Sequence, residues 1–126
     1  VLHKTNKAML KKSCLMMKKK KMNKMSIMIK GGAVIMVPPT NQTKLEGENV
    51  QFPCEAKALP GNVTVRWFRE GAPVTEVSEL DTRVSIRKDG SLVINPVSAD
   101  DTGQYLCEVT NGIGEPQSAS AYLNVE

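Results

Sequence analysis

Few side chains in this chain are equipped for chemistry. It has three cysteines, Cys14, Cys54 and Cys107, and a single histidine, His3. Trp67 follows Cys54 by thirteen residues, and Tyr105 stands two places before Cys107. With its only imidazole at the start of the chain, no Ser-His-Asp, Cys-His or His-metal arrangement can be assembled from Ala33 onward. Asp100 and Asp101 are adjacent on a turn, and no glycine-rich phosphate loop occurs. The chain is therefore expected not to be an enzyme and to take no cofactor or metal. Asn41-Gln42-Thr43 and Asn62-Val63-Thr64 have the form of glycan acceptors, with no proline in the middle. Such a motif predicts a surface asparagine.

The overall charge of +4 averages two unlike parts. Ten lysines and no acid fall within residues 1–32, together with six of the seven methionines. From Ala33 onward, 7 basic residues face 13 acidic ones, a net of −6. The basic balance thus belongs to the first segment, and the rest gives no argument for nucleic-acid binding. No run of about 20 apolar residues occurs, the length a membrane span needs. The start also lacks the apolar stretch of a secretory signal. A chain that begins at Val1 reads as a fragment of something longer.

Residues 1–32 read as a basic Lys/Met-rich tail, disordered or weakly helical, around Lys18–Lys21. Leu15, Met22, Met25 and Ile29 fall at helical spacing, as in a basic helix for an acidic lipid surface or a calmodulin-like partner. Met16, Met17 and Met28 spread around the wheel. The lysine run also has the form of a nuclear-localisation signal. A third reading is non-native sequence, since A/T-rich non-coding DNA translates into Lys, Met, Asn and Ile. Such a segment is set aside when the fold is derived. Gly31-Gly32 reads as the linker to a domain over 33–126.

That domain reads as strands. Val34–Val37 is an apolar run broken by Pro38-Pro39, and the chain resumes at Gln42–Glu46, where it can pair with a second sheet. Val50, Phe52, Cys54 and Ala56 alternate with polar positions, as do Val63, Val65 and Trp67. Glu70-Gly71 is a turn, and Val74–Val77 is expected as a short edge strand. Val84 and Ile86, then Leu92 and Ile94, flank the hairpin signal Asp89-Gly90. Tyr105, Cys107 and Val109 point one way on the next strand. Ala119, Ala121, Leu123 and Val125 alternate on the last. About eight short strands, no substantial helix and frequent turns predict an all-β sandwich.

Cys54, Trp67, Asp101, Gly103, Tyr105 and Cys107 together resemble the signature of an immunoglobulin-like two-sheet β-sandwich. The resemblance implies that Cys54 and Cys107 bridge the two sheets, with Trp67 against the bridge. It also places Tyr105 and Leu92 in the core, with the Tyr105 hydroxyl tied to nearby backbone. Arg83 and Asp101 are implied as a structural ion pair. The proline break and the Asn111-Gly112-Ile113-Gly114 connection resemble the I-set class, and a variable-type domain would need room for two more strands. The stretch from Asn62 to Gly114 is similar to an immunoglobulin domain of the turtle family, neuronal single-pass surface proteins. What that resemblance implies is cell adhesion and recognition in axon and dendrite patterning. Residues 1–32 have no counterpart in that family.

Within such a fold, strict alternation turns Phe68, Leu106 and Tyr122 outward on neighbouring strands if Trp67, Cys107 and Leu123 face inward. Thr64, Arg66 and Glu108 flank them. Apolar residues ringed by polar ones suit a protein-binding face. The expected partner is a cell-surface protein, homophilic or heterophilic, with neighbouring immunoglobulin domains in the full-length chain and no nucleic acid or small-molecule substrate. The expected setting is the extracellular part of a plasma-membrane protein, where a disulfide and glycans would both form. The alternatives are a structural spacer without its own ligand, and a tail that binds membrane or calmodulin.

Overall fold

The computed structural model describes residues 32–58 and 62–126. His3, Cys14, the helical pattern of the first segment and residues 59–61 lie outside the described residues. Successive side chains of an extended chain point to opposite faces, so each alternating run buries one face against a partner layer. The strands that result are β1 (Val34–Val37), β2 (Gln42–Lys44), β3 (Val50–Phe52), β4 (Glu55–Lys57) and β5 (Thr64–Arg69). They continue with β6 (Ala72–Pro73), β7 (Val84–Ile86), β8 (Leu92–Ile94), β9 (Gly103–Thr110) and β10 (Gln117–Val125). Among the described residues the only helical pieces are two short 3-10 turns, Val74–Glu76 and Ala99–Asp101.

One layer is the five-stranded sheet β2-β10-β9-β5-β6. The other is built from β1-β4 and β3-β8-β7, joined through the segment that holds both β3 and β4. The run from Val50 to Ala56 is split at Pro53-Cys54, because a proline has no N–H to give a ladder. Its halves pair with different neighbours, β3 with β8 and β4 with β1. After Pro38-Pro39 the chain crosses to the second layer, where β2 runs parallel to β10 with Gln42 beside Leu123. Backbone bonds from Glu46 N–H to the Glu126 carbonyl (3.0 Å) and from Glu126 N–H to the Lys44 carbonyl (2.9 Å) extend that pairing.

One expected strand is absent. Val74–Val77 is not an edge strand: β6 ends at Pro73, and Val74–Glu76 forms a 3-10 turn. Pro73 cannot continue a ladder as a donor, and the turn carries Val74 into the core. The Glu70-Gly71 turn joins β5 to β6 with both residues left-handed, at φ 48° and 86°. Glu70 tolerates this unfavourable region because its carboxylate accepts Gln104 N–H at 2.8 Å and its own N–H donates to the Gln104 carbonyl.

Cys54 and Cys107 are bonded across the layers, with Cα atoms 6.5 Å apart and a separation of 53 positions in sequence. On the chain-entropy account a loop of that size stabilises the fold by about 4 kcal/mol. Trp67 is the cross-strand neighbour of Cys107 on β5. Phe52 fills the space between two other rings, its centroid 6.2 Å from Trp67 and 5.6 Å from Tyr105. Leu92, Ile94, Val109 and Leu123 close the core around them. The indole N–H of Trp67 donates to the Gly90 carbonyl at 2.7 Å. This satisfies a buried donor that would otherwise cost about 1–3 kcal/mol. Gly90 sits at φ 92°, and a Cβ there would lie 2.3 Å from the Cys54 carbonyl oxygen. The hairpin, the indole and the bridge are thus packed on one another without room for a side chain.

At the opposite end of the sandwich, Asp101 is fully buried and takes both Arg83 terminal nitrogens, at 2.6 and 2.9 Å. Its carboxylate also accepts Ser98 N–H at 2.7 Å, closing a capping box on the Ala99–Asp101 turn. The Tyr105 hydroxyl donates to the Asp101 carbonyl at 2.6 Å. Arg83 further donates to the carbonyls of Pro96 and Glu79. Burial alone would raise the Asp101 pKa. The hydrogen bonds from Arg83 and Ser98, with the charges of Arg83 and Arg69, outweigh it and hold the carboxyl below its usual range. Tyr105 is pushed upward, chiefly by burial, so its hydroxyl stays a donor.

Two measurements check these contacts. Gly90→Ala combines a left-handed backbone with a steric clash and should lower unfolding stability by about 2–4 kcal/mol in urea melts followed by Trp67 emission. Gly71→Ala, equally left-handed but with open space around it, should cost only about 1–2 kcal/mol; equal costs would refute the clash. Because the folded Asp101 pKa is depressed, its contribution is complete above the unfolded value near 3.9 and is lost as pH falls through the folded value. Asp101→Asn should lose about 3 kcal/mol at pH 7 and show a shallower stability decline below pH ~4 than the parent. Parallel acid declines would show that Asp101 is not the titrating group.

Candidate functional site

The outer face of the five-stranded sheet is set by the core beneath it. Trp67, Cys107, Ala121 and Leu123 are buried, so their neighbours along β5, β9 and β10 face away. Register then decides which of these meet. Phe68 lies opposite Pro73 on one side and Leu106 on the other, and Leu106 lies opposite Ser120. The central row is therefore Pro73, Phe68, Leu106 and Ser120. Tyr122 lies one row away, opposite Gln104. On the other side, Arg66 opposes Glu108 and Thr64 opposes Thr110.

Exposure is uneven across this face. Tyr122 is 47% exposed, and Thr64 and Arg66 are open to solvent, whereas Phe68, Leu106 and Glu108 are half-buried. The Phe68 ring is covered in part by the Arg66 guanidinium, whose carbon lies 5.0 Å from the ring centroid. Such a contact is worth about 0.5–1 kcal/mol at an exposed site. It also sets a cation beside the apolar row. Opposite charges at Arg66 and Glu108 favour the register, as cross-strand pairs do. Gln104 joins the patch, its amide donating to the Ser120 hydroxyl at 3.1 Å. Gln104 and Ser120 are not singled out by sequence reasoning, although alternation along β9 and β10 holds the signal once the strands are aligned.

The remaining singled-out residues sit apart from this face or at its border. Arg83, Asp101, Tyr105 and Leu92 belong to the interior described above. Asn41 is exposed at the head of β2, and its side-chain carbonyl accepts Tyr122 N–H at 2.8 Å. Asn62 is exposed just before β5. A concave feature of about 350 Å³ lies between β1-β4 and the β7-β8 hairpin, lined by Met36, Val37, Ala56, Val63 and Val65 with Lys57, Lys88, Glu55 and Asp89 around them. No group of three or more His, Cys, Asp or Glu side chains able to hold a metal occurs among the described residues. A rigid sheet with an apolar row, an accessible phenol and paired charges can present a surface to another macromolecule.

Residues 34–111 match the family of the immunoglobulin domain. Protein turtle of Drosophila melanogaster is 79% identical over 100 residues, covering 79% of this chain and 6% of that protein. Protein turtle homolog A of Mus musculus is 43% identical over 99 residues, covering 79% of this chain and 8% of its own length. The chain thus spans less than a tenth of either relative. Among solved structures, Drosophila OTK extracellular domains 3-5 superpose with a TM-score of 0.67 at 25% identity, covering 75% of this chain and 32% of that one.

Proposed function

Since the chain belongs to the immunoglobulin-domain family, we propose that residues 33–126 form an extracellular protein-recognition module of a cell-surface adhesion protein. In this reading it binds protein through the outer face of its five-stranded sheet and serves neuronal cell–cell recognition, in the patterning of axons and dendrites. The high identity to protein turtle supports the adhesion setting. The OTK domains that superpose on this chain are extracellular ones, which agrees with that setting. The Cys54–Cys107 disulfide suits an oxidising compartment. The domain is not an enzyme; it presents residues and catalyses nothing. Residues 1–32 are left outside the module, and nucleic acid and small-molecule substrates are left out of its partners.

One observation carries the binding role: Pro73, Phe68 and Leu106 form an apolar row on a rigid sheet, with Tyr122, Arg66, Glu108 and Gln104 around it. Aromatic residues and arginine dominate the energetics of protein interfaces, and polar neighbours seal them from water. The half-burial of Phe68 and Leu106 favours a second reading, a spacer whose sheet face is merely well packed.

Beads coated with the chain should adhere to one another or to cultured neurons, and the Phe68→Ser/Tyr122→Ser double variant should lose that adhesion about tenfold or more, the loss of roughly 1.4 kcal/mol at a hot spot. Its circular dichroism spectrum should stay that of the parent. Adhesion undiminished in the variant, or absent from the parent on both surfaces, removes the binding role and leaves the spacer.

A further inference from the structure

The two glycan-acceptor motifs are placed very differently relative to the outer face, and the placement of Asn41 has a consequence for that face. Along β2 the alternation is clear. Gln42 stands beside the buried Leu123, and its side chain reaches across to the Gln51 carbonyl at 2.7 Å. Asn41 and Thr43, one residue to either side, therefore share the opposite face, and both are exposed. Thr43 pairs in register with the exposed Asn124. The Asn41-Gln42-Thr43 motif thus shows its asparagine and its threonine to solvent, on the same side of the sheet as Tyr122.

The hydrogen bonding of Asn41 leaves one atom available. Its Oδ1 accepts the Tyr122 N–H at 2.8 Å, which fixes the amide beside the backbone of Tyr122 and leaves the Nδ2 side uninvolved in that bond. Attachment of a sugar replaces one Nδ2 hydrogen and keeps the carbonyl oxygen. The native hydrogen bond is therefore compatible with a modified asparagine. In the attachment reaction Nδ2 bonds to the anomeric carbon of a lipid-diphosphate-linked oligosaccharide, supplied with its transferase by the secretory pathway. The bond from that carbon to the diphosphate oxygen breaks, the lipid diphosphate leaves with the electron pair, and Nδ2 gives up one proton.

We propose that Asn41 carries an N-linked glycan whose first sugars lie over Tyr122, closing the β10 side of the outer face and leaving the β5–β9 side open. The inference rests on the extracellular setting proposed above and narrows the binding surface within it. Tyr122 is 47% exposed and has its amide bonded to the acceptor asparagine itself. The apolar face of a pyranose leaves water against such a ring, as any apolar surface does. The row of Pro73, Phe68 and Leu106 begins on the far side of Ser120 from β2, so it stays accessible. A protein partner would then be met through Phe68, Leu106, Arg66 and Glu108, with Tyr122 committed to the sugar. Asn62 lies just beyond the Thr64 end of β5, rows away from Tyr122 and with no bond to its backbone.

The test uses the full chain secreted from eukaryotic cells behind a cleavable leader. Thr43→Ala destroys the acceptor motif but keeps Asn41 and its bond to Tyr122. Intact mass should fall by one oligosaccharide, and hydroxyl-radical labelling of Tyr122 should rise severalfold, with buried Tyr105 unchanged as the internal control. Thr64→Ala should remove the other oligosaccharide and leave Tyr122 labelling where it was. A Thr43→Ala variant whose mass differs from the parent's by the side-chain change alone overturns the proposal. So does equal Tyr122 labelling with and without the Asn41 glycan. Neither readout needs a binding partner, so a failed adhesion experiment and a failed glycan experiment are separate results.

Discussion

The covalent link between Cys54 and Cys107 sets the distance between the two layers, and nearly every other contact is arranged around that distance. With Cα atoms 6.5 Å apart, the sheets leave one thickness of side chains between them. Phe52 occupies it with Trp67 and Tyr105 on either flank. Within one layer, the pairing of β3 with β8 brings the β7-β8 hairpin against the Cys54 backbone so tightly that only glycine fits at residue 90. The spacing between layers also brings the Gly90 carbonyl within reach of the indole N–H. A bond, a ring and a hairpin thus specify one another, and loosening any of them leaves a buried polar group unmet.

The other end of the sandwich is held by charge and hydrogen bonding. Asp101 joins three pieces of chain: Arg83 just ahead of β7, the Ser98 turn and the start of β9 through Tyr105. A buried ion pair is favourable only when its geometry is good and its remaining hydrogen-bonding capacity is used. Here both carboxylate oxygens and much of the guanidinium are satisfied. The two ends therefore differ in kind, one sealed by packing around sulfur and one by a polar network.

Much of the architecture is legible in the sequence because it is local. Period-two alternation in Val50–Ala56, Val63–Trp67 and Ala119–Val125 identifies the strands and their buried faces without knowledge of their partners. Turn residues such as Asp89-Gly90 act within a few positions and are equally readable. The illegible parts depend on long-range register or on spacing between layers. The bond between Tyr122 and Asn41 spans 81 positions. That Phe68 meets Leu106 and Pro73, while Tyr122 stands a row away, follows only from how β5, β6, β9 and β10 align. Val74–Val77 misleads because its β-branched Val74, Thr75 and Val77 favour a strand, yet they also suit a chain that dives into the core just after a proline. Pro53 interrupts a run whose alternation gives no sign of a break in its ladder.

The parallel pairing of β2 with β10 has a mechanical meaning. A load drawing the chain ahead of β2 away from the chain beyond Val125 would slide these two strands along each other in shear. Their hydrogen bonds, with those that join Glu126 to Lys44 and Glu46, would then be strained together and not unzipped one after another. Past that point the sulfur bridge withholds the 53-residue span between its two ends, roughly 180 Å of extended contour. Stretching would release the terminal strands and leave the centre of the sandwich closed.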